Sequence, residues 1–140
     1  MFQKSLKEGY VKEILVDKLR AQSLIKAAKE ALLTANEISL NDYKYKSIIR
    51  ELYEALRQYC EAIGYLQGYK FESHEVITHF LKEELNKENI SLVFEKYRKI
   101  RNGVNYYGRD IPKETVEKAL IEIPEVIKQL EVYTKSSIKP

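Results

Sequence analysis

The sequence predicts an all-α fold, an up-and-down antiparallel bundle of four main helices plus a shorter helix, and three observations predict it. Apolar residues recur at steps of three and four through nearly every segment of the 140 residues, a spacing that collects them on one side of a helix. No run of alternating Val, Ile or Thr bounded by tight turns reads as a strand. The connections between the long amphipathic segments are short, which favours antiparallel neighbours.

The first long helix is marked by Ala21, Leu24, Ile25, Ala28, Leu32 and Ala35, which form one stripe. Gly9 separates a short leading turn from it, and Ser39-Leu40-Asn41-Asp42 supplies the turn that ends it and the next amino-terminal cap. The second helix sets Ile48, Ile49, Leu52, Leu56, Tyr59, Ile63 and Leu66 on one side, tolerates Gly64 and stops at Gly68, a residue suited to the left-handed conformation that follows a helix. The third is short. Ser73 caps it, Glu75 favours the positive end of its dipole, His74 serves capping and packing, and Val76, Ile77, Phe80 and Leu81 point inward.

A polar turn, Asn86 to Asn89, precedes a fourth helix capped by Ser91, with Val93, Tyr97, Ile100, Val104 and Tyr107 on one face. The fifth begins near Pro112, whose ring a first turn accepts, and buries Val116, Ala119, Leu120, Ile123, Ile127 and Leu130. Pro124 is expected to kink it by removing a backbone donor. The tail Lys135 to Pro140 is expected to fray.

Length and composition fit one domain over 1–140, large enough to bury a core without disulfides or a structural metal. The single Cys60 lies in an apolar helical stretch and points to a reducing compartment. No apolar run approaches the ~18 residues of a membrane span, and Lys4, Lys7 and Glu8 interrupt the amino terminus where a signal peptide needs an apolar core. A cytoplasmic location is the expectation. The net charge of +3, from 24 basic and 21 acidic residues, is too small and too evenly spread to attract a polyanion by itself, so any such attraction must come from local clustering. His74 and His79 stand five apart, the wrong spacing for two ligands on one helix face, and no metal or cofactor is expected. Gly-rich phosphate loops and zinc-type cysteine pairs are absent from the sequence.

The segment from Arg98 to Arg109 carries the chemistry. At 100° per residue, Arg98, Arg101, Asn102 and Asn105 gather on the side of the fourth helix away from its apolar stripe, with Tyr106 at the far edge. Two guanidinium groups and two amides on one surface can bind a phosphate, because arginine offers a bidentate fork and asparagine both donors and acceptors. The plainer alternative is a solvated face near a helix end. On the second helix Arg50, Glu54, Arg57 and Glu61 follow at steps of four, three and four, a pattern that usually forms intrahelical ion pairs.

The pair Arg101-Asn102, followed shortly by an aromatic residue near the end of the fourth helix, resembles the Arg-x4-6-His signature of the HEPN (higher eukaryote and prokaryote nucleotide-binding) family. Tyr53-Glu54-Ala55-Leu56-Arg57, Glu61-Ala62, Gly68-Tyr69-Lys70 and Ser73-His74 fit the same pattern, so the resemblance covers roughly residues 10 to 133. It implies metal-independent RNA cleavage at a homodimer interface, with the arginine on the phosphate and the histidine assisting proton transfer. Arg101 and Asn102 match the motif, whereas the place of its histidine falls to Tyr106, or to Tyr107 with one more residue of spacing. A phenol of pKa ~10 is a poor general base near neutral pH. The expectation is therefore a non-catalytic or weakly catalytic module that binds nucleotide or RNA through Arg101, Asn102, Arg98 and Asn105. The resemblance further implies that Glu54 orients Arg101 and that Arg57 joins the phosphate-binding cleft. It also implies a partner, a minimal nucleotidyltransferase acting as antitoxin on a nearby tyrosine; the usual position of that tyrosine is Gly108 here, which leaves Tyr106 and Tyr107 by proximity. Two alternatives stand beside it: an active endoribonuclease using Arg101 with Tyr106, and a helical protein-protein adaptor.

Overall fold

The structure, a computed structural model, describes residues 1–135. Helices carry most of it: α1 (Phe2–Glu8), α2 (Lys18–Glu37), α3 (Tyr45–Gln67), α4 (Glu75–His79), α5 (Glu88–Tyr107) and α6 (Lys113–Leu130). The residues 136–140, most of the tail expected to fray, lie outside the described residues. No described helix is long and apolar enough to cross a membrane.

Helix α3 organises the packing, because its apolar residues recur closely enough to face neighbours on several sides. Ile48, Ile49, Leu52, Tyr53, Ala55, Leu56, Tyr59, Cys60, Ala62, Ile63 and Gly64 are all buried, and the helix packs against α2 along much of its length and also against α5 and α6. From α2 the small stripe Ala21, Ala28, Ala31 and Ala35 with Ile25 lets the two backbones approach closely. The helix ends as expected at Gly68, whose φ of 85° is left-handed and whose amide caps the Gly64 and Tyr65 carbonyls.

One feature contradicts the expectation of no strands. Val11–Glu13 (β1) and Tyr69–Phe71 (β2) pair antiparallel, with Val11 opposite Phe71 and Glu13 opposite Tyr69. Three residues on each side are too few to show an alternating pattern, and the pairing joins segments more than fifty residues apart, which no local spacing reports. Gly64 makes room for it: a Cβ there would stand 2.7 Å from the Phe71 ring and 3.2 Å from the Tyr69 carbonyl oxygen.

The third helix is shorter than its apolar run implies. After α4 the chain passes into a π-helical turn over Phe80–Glu84, and Leu85 bonds back to the Phe80 carbonyl. Phe80 and Leu81 nonetheless point inward, as expected. The cap of α5 differs from expectation: the helix starts at Glu88, so Ser91 lies inside it and its hydroxyl donates to the Glu88 carbonyl at 2.6 Å. Tyr107 does not belong to the buried face either. It is 73 % exposed, because the core-facing series of α5 runs Ile90, Phe94, Tyr97 and Val104 and has left the core by the last turn. Helix α6 continues through Pro124, which has no amide hydrogen to give the Leu120 carbonyl.

Candidate functional site

A cleft of about 690 Å³ opens where the amino-terminal end of α4 meets α1 and the carboxy-terminal half of α5. Arg98, Arg101, Asn102 and Tyr106 line it from α5, successive turns of one helix face, as the spacing predicts. Ser73, His74, Glu75 and His79 close it from the α4 side, and Lys4, Ser5 and Tyr10 from the amino-terminal side.

Arg101 is placed by aromatic packing. Its guanidinium carbon lies 5.5 Å from the centroid of the Tyr53 ring on α3, and its Nη1 donates to Asn102 Oδ1 at 3.5 Å. Among the described residues no carboxylate reaches ion-pair distance of it. Its neighbours are neutralised instead. Arg98 forms a fork on Glu95, with Nε at 2.8 Å and Nη2 at 2.9 Å, and this contact holds the Glu95 carboxyl below its ordinary range. Arg57 is held between Glu54 and Glu61 on its own helix. Arg101 is therefore the arginine of this cluster without an ion-pair partner, while the carboxylates of Glu8, Glu72 and Glu75 also line the cleft.

Tyr53 performs a second task. Its hydroxyl shares a hydrogen bond with His74 Nδ1 at 3.1 Å. Burial, more than any other influence, drives the Tyr53 phenol well above its ordinary range, so it keeps its proton. The arrangement that satisfies both groups has the Tyr53 hydroxyl donating to Nδ1, which leaves the hydrogen of the neutral imidazole on Nε2. Nε2 has no protein partner among the described residues and is open to solvent where His74 lines the cleft. With the Asn102 oxygen turned to Arg101, the Asn102 amide nitrogen is also left to donate. Guanidinium, amide and Nε2–H make a set of donors, the chemistry of an oxyanion site.

Burial first, and then the charges of Arg57, Arg101 and Arg98, push the His74 imidazole down from 6.5 to about 4. Between those values the unfolded chain takes up a proton that the folded chain refuses. His74 thus costs nothing above pH 6.5 and destabilises the fold progressively as pH falls through this window. Chemical denaturation at several pH values is expected to show a shallower acid loss for His74→Asn than for the parent chain; identical slopes would contradict the placement of His74.

The structure brings together Arg98, Arg101, Asn102 and Tyr106, and it leaves other expected residues apart. Asn105 is exposed and accepts from Arg50 Nε at 2.9 Å instead of lining the cleft. Tyr107 turns away and carries the Arg109 guanidinium 5.2 Å from its ring centroid. Glu54 contacts Arg57 and not Arg101, so the pattern of intrahelical ion pairs describes these two residues. Arg57 reaches the site through its charge, which acts on both Tyr53 and His74. His74 makes no capping hydrogen bond; the Ser73 hydroxyl accepts from the Val76 amide at 3.3 Å, as expected of a cap. Tyr53 and His74 are the site residues whose roles the sequence did not reveal. A histidine beside a cap residue and a tyrosine inside an apolar run carry no spacing that joins them.

Among the described residues no group of three or more His, Cys, Asp or Glu side chains is placed to hold a metal ion. Compared with protein-family models, with curated proteins and with solved structures, the chain matches none.

Proposed function

We propose that the chain is a HEPN-like helical module that binds a phosphate-bearing ligand, a nucleotide or RNA, in the Arg101 cleft, with little or no catalysis of its own. The observation that carries this reading is the Arg101 guanidinium, which rests on the Tyr53 ring without a carboxylate partner and stands beside the neutral donors Asn102 and His74. A buried or half-buried cation without a counter-ion is costly, and a bound phosphate supplies one. Calorimetric titration with ATP and with a short RNA is expected to show binding that Arg101→Ala weakens by about 10- to 100-fold, the range of a lost charge-assisted contact. Equal affinity in the variant would remove the ligand.

In the same reading α2, α3, α5 and α6 form the up-and-down bundle, and the chain works in the cytoplasm, where a lone buried thiol such as Cys60 stays reduced. Two copies associate as a homodimer, which light scattering returning only monomer would exclude. A minimal nucleotidyltransferase is the protein partner, in a toxin-antitoxin pair; a neighbouring reading frame coding for no such enzyme would count against it.

The imidazole beside Arg101 favours one second reading, a metal-independent endoribonuclease. His74, more than the 71 % exposed Tyr106, is the group suited to move a proton there. As a base it needs the other tautomer, with Nδ1–H donating to Tyr53 and Nε2 free to take the ribose hydroxyl proton. RNA left intact by the parent chain, or cut equally by His74→Asn, would dismiss it.

A further inference from the structure

The chain has eleven tyrosines, and the four that are exposed are not scattered. Tyr10 and Tyr106 line the cleft, while Tyr43 and Tyr107, 76 % and 73 % exposed, stand with Tyr106 at the end of the molecule where α3 begins and α5 finishes. These two ends are tied together. Lys46 Nζ donates to the Gly108 carbonyl at 3.4 Å, and Arg50 binds Asn105.

Cations interleave with the rings. Lys44 Nζ lies 5.5 Å from the Tyr43 ring centroid and Arg109 5.2 Å from that of Tyr107. Residues 42–50 and 105–110 carry Lys44, Lys46, Arg50 and Arg109 against Asp42 and Asp110, and with Lys46 paired to Asp110 at 3.6 Å the cations left beside the rings are Lys44, Arg50 and Arg109. A balanced chain thus gathers local positive charge at one aromatic end. Exposed rings with cations between them are the chemistry of a surface for single strands, where bases stack on the rings and phosphates meet the charges.

Resting on the reading of the cleft given above, we propose that this end is a docking platform for a single-stranded nucleic acid. One phosphodiester sits on Arg101, and the strand leaves the cleft past Tyr106 to stack on Tyr107 and Tyr43. Duplex ligands are disfavoured because their bases are already stacked on each other.

The test compares a dinucleotide, a single strand of about a dozen nucleotides and the corresponding duplex, by fluorescence anisotropy on the parent chain, on Arg101→Ala and on the exposed double variant Tyr43→Ala with Tyr107→Ala. The longer single strand is expected to bind the parent chain more tightly than either the dinucleotide or the duplex. The tyrosine double variant is expected to lose about tenfold or more for the longer strand and nothing for the dinucleotide, whereas Arg101→Ala weakens both. Unchanged binding of the longer strand by the tyrosine variant, or duplex bound as tightly as single strand, overturns the platform while the cleft stands. Unchanged binding of the dinucleotide by Arg101→Ala overturns the reading of the cleft itself.

Discussion

Tyr53→Ala is expected to cost about 3–5 kcal/mol of stability, the range for truncating a large buried aromatic side chain, and to remove ligand binding with it. Tyr53 is 1 % exposed and packs on Phe94 with ring centroids 5.6 Å apart, so its loss leaves a cavity between α3 and α5. The same ring supports Arg101, and the same hydroxyl orients His74. Tyr53→Phe separates these effects. It keeps the ring under Arg101 and loses one hydrogen bond, which costs about 1 kcal/mol. The imidazole is then free to turn, and its proton no longer has to stay on Nε2. Denaturation and ligand titration on the two variants check this: Phe should retain the fold and weaken binding, whereas Ala should damage both. Full affinity in Tyr53→Phe would show that the hydroxyl does not organise the site.

Phe80→Ala is expected to destabilise by a similar amount, about 3–5 kcal/mol, for a different reason. Its fully buried ring meets Phe2 at 5.7 Å, Tyr69 at 5.9 Å and Phe71 at 5.1 Å between centroids. Those partners belong to α1 and β2, so one side chain fastens the amino-terminal helix and the strand pair to the π-helical turn. Lys4, Ser5 and Tyr10, which wall the cleft, are carried by this assembly. Thermal unfolding should therefore shift strongly downward, and ligand affinity should fall although Phe80 is remote from the donors. Phe80→Leu, which refills much of the space, should recover most of the stability. A small loss for Phe80→Ala would mean that α1 is held by other contacts.

The long helices were legible because each repeats its apolar spacing over several turns; α3 shows this from Ile48 to Ile63, and Gly68 marks its end through the left-handed conformation that glycine accepts without strain. What escaped was non-local or brief. The strand pair spans three residues a side, and Ser91 has the right chemistry for a cap but sits one turn too far along α5. On the site, helical geometry alone placed Arg98, Arg101, Asn102 and Tyr106 on one face. Periodicity could not show that Arg101 rests on Tyr53, nor that His74, just before α4, bonds to Tyr53 and lines the same cleft, because these contacts join residues far apart in the chain. Glu54 and Arg57 show the opposite case, in which local i, i+3 and i, i+4 pairing was sufficient.

The most direct measurement is a crystal structure of the chain with a bound nucleotide or short RNA. A phosphate oxygen is expected within hydrogen-bonding distance of the Arg101 guanidinium, with the Asn102 amide nitrogen and His74 Nε2 as its further donors and the Tyr53 ring still beneath the arginine. A phosphate bound elsewhere, with Arg101 turned away from the cleft or paired to a carboxylate, would contradict the account.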